Sequence, residues 1–201
     1  MDPDSQDATA RCEHAMKVFD DIYLQAIPKV IQDGTAFISF HPMFAALEGL
    51  AGYRFPTVSK GDGEKFKGFI QEYFPAEYHG LRDELWNLRC GMQHASCPRG
   101  FDLTHRNKEW NLRRNGTGPL VVNADSLFEA LHTAALKFFA EVRALPERRA
   151  DFVRRLEDPK GGEVAYIPLQ GPLPGPTTRH GNMGPFPGGP SSATGSVTGQ
   201  W

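Results

Sequence analysis

Residues 78–94 read YHGLRDELWNLRCGMQH, and the fold class follows from this stretch. Tyr78, Leu81, Leu85, Leu88 and Met92 recur every three or four residues, the spacing of one buried helix face rather than the alternation of a strand. At about 100° per residue, Arg82, Trp86, Arg89 and Gln93 fall along one flank of that face. The run Cys97-Pro98-Arg99-Gly100 then has to break the helix.

Moving toward the C-terminus, the period changes. WNLRRNGTGPLVV (110–122) predicts two short strands around an Asn-Gly turn, so a β-hairpin is expected within about 101–122. Ser126 and Glu129 have the spacing of a capping box. They open a helix lined by Leu127, Leu131, Ala135, Phe138, Val142 and Leu145, and Pro146 starts a last short helix bearing Phe152, Val153 and Leu156.

Toward the N-terminus, Met16, Phe19, Tyr23, Ala26 and Val30 give a first helix that Pro28 kinks or ends. Pro42 suits the first turn of a second, with His41 at its entry and Met43, Phe44, Leu47, Leu50 and Ala51 following. Phe37, Phe40 and Phe44 read as core. Asp62 suits the N-cap of a third helix carrying Phe66, Phe69, Ile70 and Tyr73, ended by Pro75. The expected architecture is mainly α: a bundle of five to six helices with one inserted hairpin, spanning residues 1–157.

The segment 158–201 holds 10 of the 21 glycines and 8 of the 16 prolines, with no period, and is expected to form a disordered, flexible tail. Within it VAYIPL (164–169) suits docking or a short edge strand, and PLPGP suits polyproline II.

Charge is nearly balanced, 22 Lys plus Arg against 24 Asp plus Glu, which argues against a protein that coats nucleic acid electrostatically. No apolar run approaches the ~20 residues that span a bilayer. The start MDPDSQDATARCEH lacks the basic end and apolar run of a secretory signal, so a cytoplasmic location without membrane contact is expected. Cys12, Cys90 and Cys97 form no CxxC and read best as small core fillers. Cys90, His94 and Cys97 lack a fourth ligand at finger-like spacing, and no metal or other cofactor is expected. His14, His41, His79, His105, His132 and His180 are scattered without ligand spacing.

Arg89 and His94 carry the chemistry of the 78–94 stretch. Guanidinium is permanently charged and grips phosphate oxygens in a fork, while imidazole exchanges protons near neutral pH. On RNA, a base can deprotonate the ribose 2′-OH for attack on the adjacent phosphate, an acid protonates the leaving oxygen, and a fixed cation stabilises the developing charge. On a regular helix, however, five residues place the two side chains about 140° apart. Convergence therefore needs the helix to unwind near Gly91–His94, or a second subunit. Arg82, Trp86 and Gln93 are flank positions able to contact a base or phosphate, or to pack another helix. Arg106, Lys108, Arg113 and Arg114 give a modest basic excess after the motif, suited to a phosphate backbone or to a solvated face.

LWNLRCGMQH (85–94) resembles the R-x4-6-H signature of the HEPN superfamily, and its wording is similar to that of a group of bacterial HEPN-like proteins. The resemblance implies a helical domain, metal-independent endoribonuclease activity or RNA binding, a homodimer with one shared cleft, and a toxin or defence role with a cognate antitoxin. It points to Arg89 as the phosphate and transition-state cation and to His94 as general acid or base. Arg82, Trp86, Gln93 and Arg113 are the candidate substrate contacts. The competing expectation is a non-catalytic, dimeric helical interaction module in which Arg89 and His94 are structural.

Overall fold

The computed structural model describes residues 3–32, 36–56, 61–98, 100–114 and 116–158. The tail expected from residue 159 onward lies outside the described residues, with its VAYIPL and PLPGP stretches.

The chain is mainly α. In order come α1 (Pro3–Phe19), α2 (Ile27–Gln32), α3 (Ala36–Arg54), α4 (Asp62–Tyr73), a single turn α5 (Ala76–His79), α6 (Arg82–Ala95), α7 (Ala124–Ala144) and α8 (Pro146–Leu156). Strands β1 (Phe101–Thr104) and β2 (Leu120–Asn123) lie between α6 and α7. Among the described residues no helix is long and apolar enough to cross a membrane.

Helix α3 is the axis of the bundle, and α2, α4, α6, α7 and α8 all pack on it. Its sequence explains this: Glu48 is its sole acidic residue, and apolar side chains surround the rest. A helix apolar all round is stable only when neighbours cover it. Phe40, Ala46 and Leu50 are wholly buried, and Met43, Phe44 and Ala51 nearly so.

Rings tie the other helices to this axis. Phe138 on α7 meets Phe69 (5.8 Å) and Tyr73 (5.5 Å) of α4 edge-on, and Phe152 of α8 at 6.1 Å. Phe152 in turn stacks on Tyr53 of α3 at 4.1 Å. Phe139 receives Phe19 of α1 edge-on at 5.6 Å. Cys12 packs into the same interior, and burial pushes its thiol up to about 11.

Several boundaries differ from the sequence reading. The first helix starts at Pro3, and a π-helical turn, Asp20–Leu24, carries the chain to α2, where Pro28 occupies a first turn. Pro42 lies inside α3, not at its start. The turn it interrupts, at Ile38, is the exposed side of the helix (56%), so the lost hydrogen bond falls at the solvent edge. His41 is thereby a mid-helix residue, and Phe37 is exposed rather than core. Gly61, not Asp62, is the N-cap of α4. Tyr78 belongs to α5, separated from α6 by Gly80. Asn123 caps α7 by accepting from Ser126 N–H at 3.0 Å, so Ser126 is a first-turn residue and not the cap.

The expected hairpin is corrected as well. β1 and β2 run parallel, in the register Phe101↔Leu120 to Thr104↔Asn123. On its other side β2 keeps short antiparallel pairing with the segment before it: the Arg114↔Leu120 bridge, Leu112 N–H to Val121 C=O at 2.9 Å and Val121 N–H to Arg113 C=O at 2.9 Å. Asn123 explains the preference. Its side chain caps α7 and donates from Nδ2 to Arg106 C=O at 3.0 Å, while its N–H reaches Asn111 Oδ1 at 2.9 Å. Those bonds hold β2 against the loop that leaves β1.

Candidate functional site

Helix α6 presents its Arg82–Trp86–Arg89 flank to α3 and α4, and each side chain is engaged there. Trp86 packs on Phe66 at 5.3 Å between centroids and on the bare backbone of Gly63, where a Cβ would come within 2.9 Å of the indole. The Arg89 guanidinium carbon lies 5.0 Å from the centre of the Trp86 ring, within cation–π range. From Nη2, Arg89 donates to both oxygens of Glu48, at 2.6 and 2.7 Å. The two side chains are 17% and 25% exposed, a pair largely withdrawn from water. Burial opposes the charge on Arg89, and the Glu48 carboxylate more than offsets it, leaving the guanidinium above its ordinary pKa.

Gln93 and His41 form a second clasp between the helices. Gln93 Nε2 donates to His41 C=O at 3.3 Å, and His41 Nε2 contacts Met92 C=O at 3.2 Å. A carbonyl only accepts, so this contact selects the Nε2–H tautomer of His41. Arg82 Nη1 donates to Gln71 on α4. Arg82, Trp86 and Gln93 thus bind α6 to its neighbours. Arg113 is exposed in the segment before β2, its own carbonyl bonded to Val121 N–H.

His94 sits in the last turn of α6 with its side chain exposed. The helix does not unwind at Gly91 but stays α-helical to Ala95, so within one chain Arg89 and His94 keep their roughly 140° separation. The helix closes just beyond His94. Ser96 takes the left-handed conformation (φ 47°), its N–H bonding Met92 C=O at 3.1 Å, and Cys97 N–H bonds Gly91 C=O at 3.1 Å. This closure folds the Cys97 carbonyl against Gly91, where a Cβ would stand 2.4 Å from the oxygen. Gly91→Ala is therefore expected to displace the 96–98 turn at a cost of about 1–3 kcal/mol despite alanine's better helix propensity. A urea midpoint equal to or above that of the parent would contradict that geometry.

No family model, no curated protein and no solved structure matches the chain. The site is therefore read from its own residues. Among the described residues, no three His, Cys, Asp or Glu side chains gather as metal ligands.

The sequence reading missed the partners of Arg89. Glu48 comes from α3, and beside the pair lie Lys65 of α4 and Arg155 of α8, lining one cleft with it. One signal for Lys65 was available: it shares the inward face of α4 with Phe66 and Phe69, where a lysine is out of place unless it has work to do.

Proposed function

We propose that the chain is a HEPN-like RNA-directed domain, a metal-independent endoribonuclease of the cytoplasm that acts as a homodimer. The supporting observation is the division of labour along α6. Arg89 opens onto a cleft on one side, and His94 stands exposed on another, its imidazole without a hydrogen-bond partner among the described residues. Two copies related by a two-fold axis can set the His94 of one against the Arg89 side of the other, as isologous interfaces do. In such a cleft His94 takes the 2′-OH proton or protonates the leaving 5′-oxygen, and Arg89 steadies the charge on the phosphorus oxygens. Arg113, exposed and cationic, is available to the RNA backbone.

Incubating RNA in EDTA with the parent chain and with His94→Ala tests this reading. The expected result is cleavage to 2′,3′-cyclic phosphate ends, falling by roughly 10²–10⁴-fold in the variant. Equal cleavage by both chains, or none on structured and unstructured RNAs, overturns it. A second reading is favoured by the Glu48–Arg89 pair itself. If Glu48 never releases Arg89, the chain is a non-catalytic dimeric interaction module in which the motif is structural. A cognate antitoxin fits either reading as the protein partner.

A further inference from the structure

Beside Arg89, helices α3, α4, α6 and α8 border a cleft of about 280 Å³ lined by Glu48, Gly52, Asp62, Lys65, Arg89 and Arg155. Its charges do not pair off. Glu48 takes Arg89 at 2.6 Å, and Asp158 takes Arg155 at 2.9 Å. Lys65 and Asp62 enter no ion pair among the described residues, and Lys65, only 9% exposed, has no side-chain hydrogen bond there either. Its stem is buried while the ammonium reaches solvent at the cleft, where it meets no acceptor among the described residues.

Two further donors remain unspent. Arg89 Nε is buried without an acceptor, because Glu48 draws both of its contacts from Nη2. Lys65 belongs to the first turn of the twelve-residue α4, whose N-cap, Gly61, supplies no capping oxygen, and Asp62 of the same turn borders the cleft. The N–H groups at such a helix end favour an anion. Arg155 reaches the cleft across Gly52. A Cβ there would stand 3.1 Å from Arg155 Nε, so the glycine is what admits the guanidinium.

We propose that this cleft binds a phosphate group, with Lys65 supplying an ammonium held by no ion pair and Arg89 and Arg155 framing the oxyanion. Donors arriving from three helices suit a tetrahedral anion with acceptors on every side better than a planar carboxylate, which two donors satisfy. The phosphate is either the free ion or the terminal group of a small ligand such as a nucleotide. The site shares Arg89 with the RNA reading but does not depend on cleavage.

Thermal melting of the full chain tests it, in phosphate, acetate or chloride at matched pH and ionic strength. The parent melting temperature is expected to rise with the logarithm of phosphate concentration, and not with acetate. Lys65→Met is expected to weaken the phosphate response at least tenfold. In chloride alone it should melt close to the parent, since the Lys65 ammonium has no ion pair or hydrogen bond to lose. Lys65→Arg is expected to keep the response. Adenosine 5′-monophosphate acting at lower concentration than inorganic phosphate assigns the site to a nucleotide-like ligand, and equal or weaker action assigns it to the free ion. Two results overturn the proposal: no difference between phosphate and chloride for the parent, or an undiminished response in Lys65→Met. His94→Ala should retain the full phosphate response, so failure of the RNA reading and failure of this one are seen separately.

Discussion

Phe138→Ala is expected to cost about 3–5 kcal/mol, the range for removing a buried aromatic ring, and to lower the melting temperature by roughly 10 °C for a chain of this length. The ring is 1% exposed and touches Phe69 and Tyr73 of α4, Phe139 beside it and Phe152 of α8. Its removal leaves a void bounded by three helices, each fixed by other contacts, so the hole cannot close by a small shift of one of them. Phe138→Leu keeps most of the volume and should cost no more than about 1.5 kcal/mol. Urea denaturation of both variants measures the contrast. Equal losses would mean that ring-to-ring geometry matters more than filled volume.

Glu48→Ala is the second large effect, expected at about 3 kcal/mol, the low end for breaking a buried ion pair because both side chains keep some contact with solvent. The loss comes less from the missing attraction than from Arg89, left without a counter-ion against Trp86. Removing both charges, as Glu48→Leu with Arg89→Met, should recover most of that stability. Denaturant midpoints of the single and double variants decide the matter. A single variant within 0.5 kcal/mol of the parent, to order of magnitude, would class the pair with screened surface bridges. The same substitution bears on function, since freeing Arg89 should strengthen phosphate binding if the guanidinium serves the cleft.

The helical architecture was legible because it rests on local periodicity. The stripes of α6 and α7, and the Pro146 start of α8, could be read directly, since three- and four-residue spacing needs no knowledge of neighbours. What failed was set by tertiary context. Pro42 reads locally as a helix start, yet the apolar run on both sides is covered by five other helices, and that burial outweighs one lost hydrogen bond. Phe37 cannot be told from Phe40 by residue type, only by the side of α3 it occupies. The Asn-Gly turn signalled the short antiparallel pairing of 112–114 with 120–121, but not the parallel strand β1 that β2 also pairs with, which comes from beyond that local pattern. At the site, Arg89 was visible as a flank residue. Glu48, Lys65 and Arg155 arrive from helices 24 to 66 positions away, and no spacing rule links them. The regular course of α6 through His94 also removed the single-chain route to an Arg89–His94 pair.

The bonding of Asn123 has a consequence for how the molecule breathes. One wholly buried side chain holds the first turn of α7 and the loop after β1, and its backbone N–H is held by Asn111, which also donates to the Tyr78 hydroxyl at 3.0 Å. Residues 101–114 and 116–123 are therefore not a loose insertion that frays on its own. To open, they must release the start of α7 and the turn bearing Tyr78 in the same event, so the amide protons of these three regions should exchange with solvent as a single cooperative unit.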